Sequence, residues 1–296
     1  GDYYKKEAIT WAWELFTDIW KLDKKRLWAT VYVDDDEAFD LWAECTDIEQ
    51  DRILRCGKRD NFWEMGETGP CGPCSEIHYY IGHDLSKQST EGVNNSEEYW
   101  ELWNLVFIQN NRKKDGTLED LPAKHVDTGA GLERIAAVLQ NKTSNYDTDL
   151  FSPIIDKIEF MTDHRYKTNP IPFRAIADHI RMLSFSVADG ALPSNEGRGY
   201  VLRRILRRGS RFGRIIGLEE PFLFKLVDPV IEVMGSIYPE LVDRNSHIKK
   251  VIRSEEESFN RTLDRGLNHF EKIILGIDDN LISGSDAFKL YDTYGF

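Results

Sequence analysis

Residues 125–140 read HVDTGAGLERIAAVLQ, and the hydrophobic period changes inside them. Asp127, Thr128 and Gly129 end a strand that begins in LPAKHVDTG, and from Gly131 the apolar residues of LERIAAVLQ recur at helical spacing. Glycine at a strand-to-helix turn lets backbone approach a phosphate or an amino-acid ligand closely. Asp127 beside that turn could bind an ammonium group, and Arg134 a triphosphate. Equally, Asp127 could cap the helix and Arg134 could make a surface salt bridge. A lone GxG is a weak signal, and composition leaves both readings open.

On either side of this switch the chain has different character. All eight tryptophans lie between Trp11 and Trp103. The first part opens with a helix over about residues 4–20, on which Ala8, Trp11, Leu15 and Ile19 share a stripe. TVYVDD follows as a strand and DDEAFDLWAEC as a helix with acidic residues in its first turn. NFWEMG, SEIHYYI, ELWNLVFIQNNR and LPAKHVDTG read as strands, and the polar SKQSTEGVNNSEE between them reads as a surface loop. After Gly131 the chain is almost entirely helical in period, including a long stripe through Ile248, Ile252, Phe259, Leu263, Leu267, Phe270 and Ile274. These patterns predict an α+β fold: an antiparallel sheet flanked by helices over residues 1–160, then an all-helical domain over 161–296. The polar TDHRYKTNP marks the division.

Two stretches of the first part carry chemistry-bearing residues. In FWEMGETGPCGPCSEIHYY, residues 62–80, Cys71 and Cys74 have the spacing of half a zinc site, and His78 and His83 could complete it. A tight glycine-rich turn accounts for the same letters, and no second CxxC exists. Strand alternation puts Glu76 and His78 on one face, with Ile77 and Tyr79 on the other. In ELWNLVFIQNN it sends Trp103, Leu105 and Phe107 to one face. Leu102, Asn104, Val106 and Ile108 take the other. An amide among aliphatics needs partners, so Asn104 is either a satisfied core residue or the polar group of a small pocket.

The 296 residues carry a net charge of −13, which argues against indiscriminate nucleic-acid binding. The charge is uneven, however. Arg198, Arg203, Arg204, Arg207, Arg208, Arg211 and Arg214 fall in a segment without Asp or Glu. On a helix Arg203, Arg207, Arg211 and Arg214 share a face, which is either a solvated surface or a grip for a phosphate backbone. No apolar run approaches the roughly 20 residues needed to span a bilayer. Four cysteines form no disulfide framework and suit a reducing cytoplasm. The opening GDYYKKEAITWAW and the closing KLYDTYGF both interrupt a pattern, so a fragment is expected.

Taken in order, GDYYKKEAI, NFWEMGETGPCGPCSEIHYY, WNLVFIQ, HVDTGAGLERIAAVLQ, YDTDLFSPII, ADHIRMLSFSVADGALPSNEGRGYVLRRILRR and LYDTYGF resemble the segments of the alanyl-tRNA synthetase family, class II aminoacyl-tRNA synthetases. DTGAGLER also has the general shape of class II motif 3. The resemblance implies a class II sheet followed by a helical tRNA-recognition region. It implies activation of L-alanine by ATP with Mg²⁺, then transfer to tRNA(Ala). It places Trp63, Asn104, Val106, Asp127 and Gly129 around alanine, with Asp127 on the ammonium. Arg134, Gly131 and Glu76 fall to ATP. For the acceptor stem it implies Asn195 and Asp292 as readers of a G·U pair, with Arg203 and Arg207 on phosphates. Motifs 1 and 2 would precede Gly1. An editing domain with HxxxH and CxxxH zinc ligands would follow LYDTYGF, and zinc is expected only there. Some relatives carry CxxCx₆HxxH at the cysteine stretch, but Ile81 stands where that pattern wants His. Residues 62–80 are therefore expected to form a glycine-rich active-site loop without metal. A non-catalytic RNA-binding module, or an adenylate-forming enzyme for another amino acid, would share parts of this pattern.

Overall fold

The computed structural model describes residues 2–275 and 281–294, the side chains of Asp292 and Tyr294 excepted. It divides into two compact units, Gly1–Thr148 and Asp149–Phe296.

In the first unit α1 (Lys5–Glu14) runs on into one π-helical turn, Leu15–Ile19. Its buried face is Ala8, Ile9, Ala12, Trp13 and Phe16, while Trp11 is 53% and Ile19 63% exposed. The expected stripe through Trp11 and Ile19 is therefore displaced by one row. The small Ala8 and Ala12 let that row lie close to the sheet, and the Trp13 indole N–H finds Asp47 Oδ1 at 2.8 Å. β1 (Leu27–Tyr32) leads to α2 (Asp36–Cys45). The N-cap of α2, Asp35, accepts from the Ala38 N–H at 3.1 Å and pairs with the buried Lys5 at 2.5 Å.

β2 (Ile53–Cys56), α3 (Lys58–Asn61), β3 (Phe62–Glu64), β4 (Gly69–Tyr80), β5 (Tyr99–Arg112) and β6 (Leu118–Ala130) follow, and α4 (Leu132–Leu139) closes the series. The strand order is β2-β1-β4-β5-β6, with β3 pairing β4. Only β1 and β2 are parallel. Ile77, Leu105 and Phe107 point from the sheet into a core shared with Ile9, Phe16 and Trp42.

Two irregularities in the β4–β5 ladder position the candidate site. Cys71 pairs with Asn110 and Cys74 with Val106, so the ladder is interrupted at Gly72 and Pro73, which pair instead with Trp63 and Phe62 of β3. The stretch expected as an active-site loop is thus bulged strand. Gly72 is obligatory there, because a Cβ would stand 2.0 Å from the Phe107 carbonyl oxygen. Further along, Ile77 pairs with Trp103 but His78 with Glu101. Leu102 is the extra residue of a β-bulge. It turns into the core beside Leu105 and Phe107, not onto the Asn104 face that strict alternation assigns it.

The second unit is helical: α5 (Ser152–Met161), α6 (Pro170–Ala188), α7 (Gly197–Ile215), α8 (Val227–Met234), α9 (Pro239–Asp243), α10 (Asn245–Leu275) and α11 (Gly284–Tyr294). Ile154, Ile155 and Ile158 of α5 are buried, and the helix packs against α6 and α8. TDHRYKTNP is accordingly a connection inside this unit, and the division falls before α5 rather than at residue 160. On α10 the apolar stripe is buried through Ile248, Ile252, Phe259 and Leu263, whereas Leu267 and Ile274 are exposed.

Candidate active site

The ladder registers put one set of side chains on a single face of the sheet. Cys74, Val106 and Asp127 form one rung across β4, β5 and β6, and Glu76, Asn104 and Gly129 form the next. Trp63 packs on the Cys74–Val106 end of this surface. The five residues that the resemblance groups around an amino acid therefore share a face. Asp127 and Gly129 are exposed, and nothing lies within 4 Å of where a Cβ on Gly129 would stand. The space over Gly129 is therefore open.

Beneath it lies a buried polar chain. Glu76 is 7% exposed and His78 2%. Asn104 Nδ2 donates to Glu76 Oε1 at 3.2 Å, and His78 Nε2 and Thr30 Oγ1 reach Glu76 Oε2 at 3.1 and 3.5 Å. Thr30 Oγ1 in turn accepts from Asn61 Nδ2 at 2.9 Å. Glu76 thus spends both carboxylate oxygens on protein groups, so a direct contact with ATP does not suit its position. Of these residues the sequence singles out Glu76, His78 and Asn104; Thr30 and Asn61 carry no local signal.

Next to this chain, an open cleft of about 1060 Å³ is lined by His78, Tyr99, Glu101, Arg134, Asn145 and Tyr146 among others. Arg134 Nη1 donates to the Glu101 backbone carbonyl at 2.8 Å and lies 3.8 Å from its carboxylate, half exposed. The Gly131 N–H donates to the Leu102 carbonyl at 2.9 Å. It is therefore used in closing the turn rather than free for a phosphate. Burial pushes the Glu101 carboxyl up, the nearby Glu76 adds to this, and His78 and Arg134 work against it. A carboxylate so placed at a polar cleft suits a divalent cation, since magnesium typically takes one or two carboxylates together with phosphate oxygens. Sequence alternation puts Glu101 on the opposite face from Asn104; the Leu102 bulge reverses that.

The cysteines fit a metal poorly. Cys71 and Cys74 are buried, and burial pushes the Cys74 thiol up to about 12, with Glu76 contributing. Burial likewise raises Cys71. Among the described residues no three His, Cys, Asp or Glu side chains gather as a metal site.

The basic helix α7 differs from its reading in isolation. Leu202, Leu206, Gly209, Ser210 and Gly213 are its buried face. Arg203 Nη2 donates to Glu255 Oε2 of α10 at 3.0 Å and its Nε lies 2.8 Å from Oε1, with the two side chains 21% and 13% exposed. Arg207 lies 3.8 Å from the same carboxylate and over the Phe259 ring, and Arg214 meets Asp264 at 2.8 Å. The acids missing from the local sequence come from α10. Arg203 and Arg207, expected on phosphates, are committed there, and the exposed stripe is Arg204, Arg208 and Arg211, with Arg198 ahead of it. Arg203 also donates to the Asn195 side-chain carbonyl. A guanidinium only donates, so the exposed Asn195 keeps its NH₂ outward. Asp292 falls within α11, but its side chain lies outside the described residues.

The family described as tRNA synthetases class II (A) matches residues 1–296. The chain is 58% identical over 304 residues to an alanine–tRNA ligase of Chlorobium chlorochromatii (strain CaD3), a match covering all of this chain and 34% of that protein. It is 55% identical to the alanine–tRNA ligase of Chlorobaculum tepidum and 50% identical to that of Francisella tularensis subsp. tularensis, again over all of the chain and 34% of each relative. The chain thus spans about a third of the length of the curated relatives it matches.

Proposed function

We propose, since the chain belongs to the class II tRNA synthetase family, that the protein joins L-alanine to tRNA(Ala). A carboxylate oxygen of alanine attacks the α-phosphorus of ATP, pyrophosphate leaves, and alanyl-adenylate forms. A 3′-terminal ribose hydroxyl of the tRNA then attacks the alanyl carbonyl carbon, loses its proton, and AMP departs. The juxtaposition of Asn104, Val106, Asp127 and Gly129 on two adjacent rungs supports this reading most directly. Asp127 supplies a negative charge for the ammonium, Asn104 a second polar contact, and Val106 with Trp63 an apolar floor for the methyl group. Gly129 leaves the space open.

Arg134, steadied by the Glu101 carbonyl with its guanidinium half exposed, takes triphosphate oxygens. Glu101 would hold magnesium, which when bound neutralises phosphate charge as pyrophosphate leaves. On the RNA side, Arg204, Arg208 and Arg211 take backbone phosphates. Asn195, oriented by Arg203, reaches a base edge in the wide, shallow minor groove of the acceptor stem, with Asp292 as its partner in reading a G·U pair. No helix among the described residues is long and apolar enough to cross a membrane, and a cytoplasmic setting agrees with four free cysteines.

Alanine-dependent ATP–pyrophosphate exchange by the protein at its full natural length, with Asp127→Asn, tests the assignment. The substitution keeps shape and removes the charge opposing the ammonium, a loss worth roughly 2–5 kcal/mol in alanine kcat/KM. The KM for ATP should stay within about threefold of wild type, because the change is aimed at the alanine ammonium rather than the triphosphate. Unchanged alanine parameters would make Asp127 a bystander.

A further inference from the structure

Glu76 and His78 are buried, charged or titratable, and take no part in the reaction as described. We infer that Glu76 is a positioning residue: with His78 and Thr30 it locks the Asn104 amide so that its carbonyl oxygen faces the substrate ammonium. The inference rests on the alanine pocket proposed above and extends it to a residue that touches no substrate.

A carboxylate only accepts hydrogen bonds, so the amide 3.2 Å from Glu76 Oε1 must turn Nδ2 toward it. That leaves Asn104 Oδ1 on the other side, and this atom is buried without a partner. A buried acceptor left open costs stability, and its place on the rung beside Asp127, under the bare Gly129, gives it a natural donor in a bound ligand. An ammonium group brings three N–H donors and no acceptor. Asn104 Oδ1 and the Asp127 carboxylate are then two acceptors on one face for one cation. In the opposite flip, Asn104 would present N–H groups to that cation and repel it.

Glu76 itself has little freedom. His78 donates to Oε2 from Nε2, Thr30 reaches the same oxygen, and Asn61 fixes Thr30 while also donating to the Cys74 carbonyl at 3.1 Å. These anchors lie on β1, β4 and the end of α3, and each is buried. The orientation of one amide is thereby set by a buried network that the alanine ammonium does not touch.

Three variants test this in ATP–pyrophosphate exchange by the protein at its full natural length. Glu76→Gln replaces the obligate acceptor by a group that can also donate, freeing Asn104 to flip. Alanine KM should rise about ten- to hundredfold, the loss of a hydrogen bond to a charged group, with ATP KM within about threefold of wild type. The exchange of roles in Glu76→Gln/Asn104→Asp lets the new amide at position 76 donate to position 104 and fixes an acceptor facing the ligand at position 104. It should bring alanine KM back to within about fivefold of wild type. Asn104→Ala should match or exceed the defect of Glu76→Gln. If Glu76→Gln leaves alanine KM within twofold while Asn104→Ala raises it, the positioning role is overturned and the pocket stands. If Asn104→Ala also leaves alanine use unchanged, the pocket assignment fails first. Should Glu76→Gln not fold, the exchange variant decides: normal ATP KM with alanine KM still raised tenfold overturns the inference.

Discussion

Glu256 on α10 has no exposed surface, yet its Oε2 accepts from the backbone N–H groups of Phe222 and Leu223 at 3.1 and 3.0 Å. Burial pushes its carboxyl from 4.5 up to about 8; the two N–H donors and Lys225 oppose the rise, and Glu257 adds to it. The folded-state value is raised, so Glu256 stabilises fully only below its unfolded value and its contribution falls as pH climbs through about 8. The interval from 4.5 to about 8, at about 1.36 kcal/mol per pH unit, makes the total loss about 5 kcal/mol. About 4 kcal/mol of it should fall between about pH 5 and pH 9. Glu256→Gln keeps an oxygen for both N–H groups and cannot ionise. Urea unfolding at intervals across that range should therefore show wild type and variant within about 1 kcal/mol at the acid end, with the variant more stable by about 3–5 kcal/mol at the alkaline end. Stability curves that run parallel across the range would refute the reasoning. The adjacent Glu255 holds Arg203, and through it Asn195, so the region this test loosens also carries the proposed base reader.

On α7, Arg204→Ala and Arg208→Ala should weaken wild-type and G·C-substituted tRNA alike and lower the salt slope by about one each, whereas Asn195→Ala should erase roughly 1–3 kcal/mol of discrimination. Filter binding and aminoacylation of both tRNAs separate the two behaviours, and an arginine variant that changes discrimination would contradict the assignment of phosphates to that stripe. Gly72→Ala places a methyl 2.0 Å from the Phe107 carbonyl oxygen and should cost about 1–3 kcal/mol or more in urea unfolding; a neutral result would mean that the β4 bulge can move aside.

Much of this is legible in the sequence. The change of period at Gly131 separates sheet from helices, and β5 and β6 fall where alternation places them, whereas β2 and the first half of β4 carry no such signal. Asn104 and Asp127 share a face because regular antiparallel pairing keeps parity across β5 and β6 in that stretch. What escaped has two physical causes. One is distance along the chain. Seven arginines on α7 look uncompensated because Glu255 and Asp264 lie on another helix about fifty residues on, and no local window weighs a charge against a partner that only tertiary packing supplies. The same is true of Thr30, which meets Glu76 only through the pairing of β1 with β4, and of Asn61, which reaches Thr30 from the end of α3.

The other cause is a single inserted residue. A strand's faces can be read from sequence only while the period of two holds, and Leu102 breaks it. With regular pairing Glu101 would lie across the sheet from Asn104, and Leu102 would crowd the pocket. The bulge sends Leu102 into the core and swings Glu101 round beside His78. It also gives the Leu102 and Glu101 carbonyls new partners, the Gly131 N–H at 2.9 Å and the Arg134 guanidinium at 2.8 Å. The turn that opens α4 is thus docked by the same irregularity that assembles the polar cleft. Glu101, Arg134 and Gly131 are consequences of one bulge, and strict alternation cannot see any of them as a group.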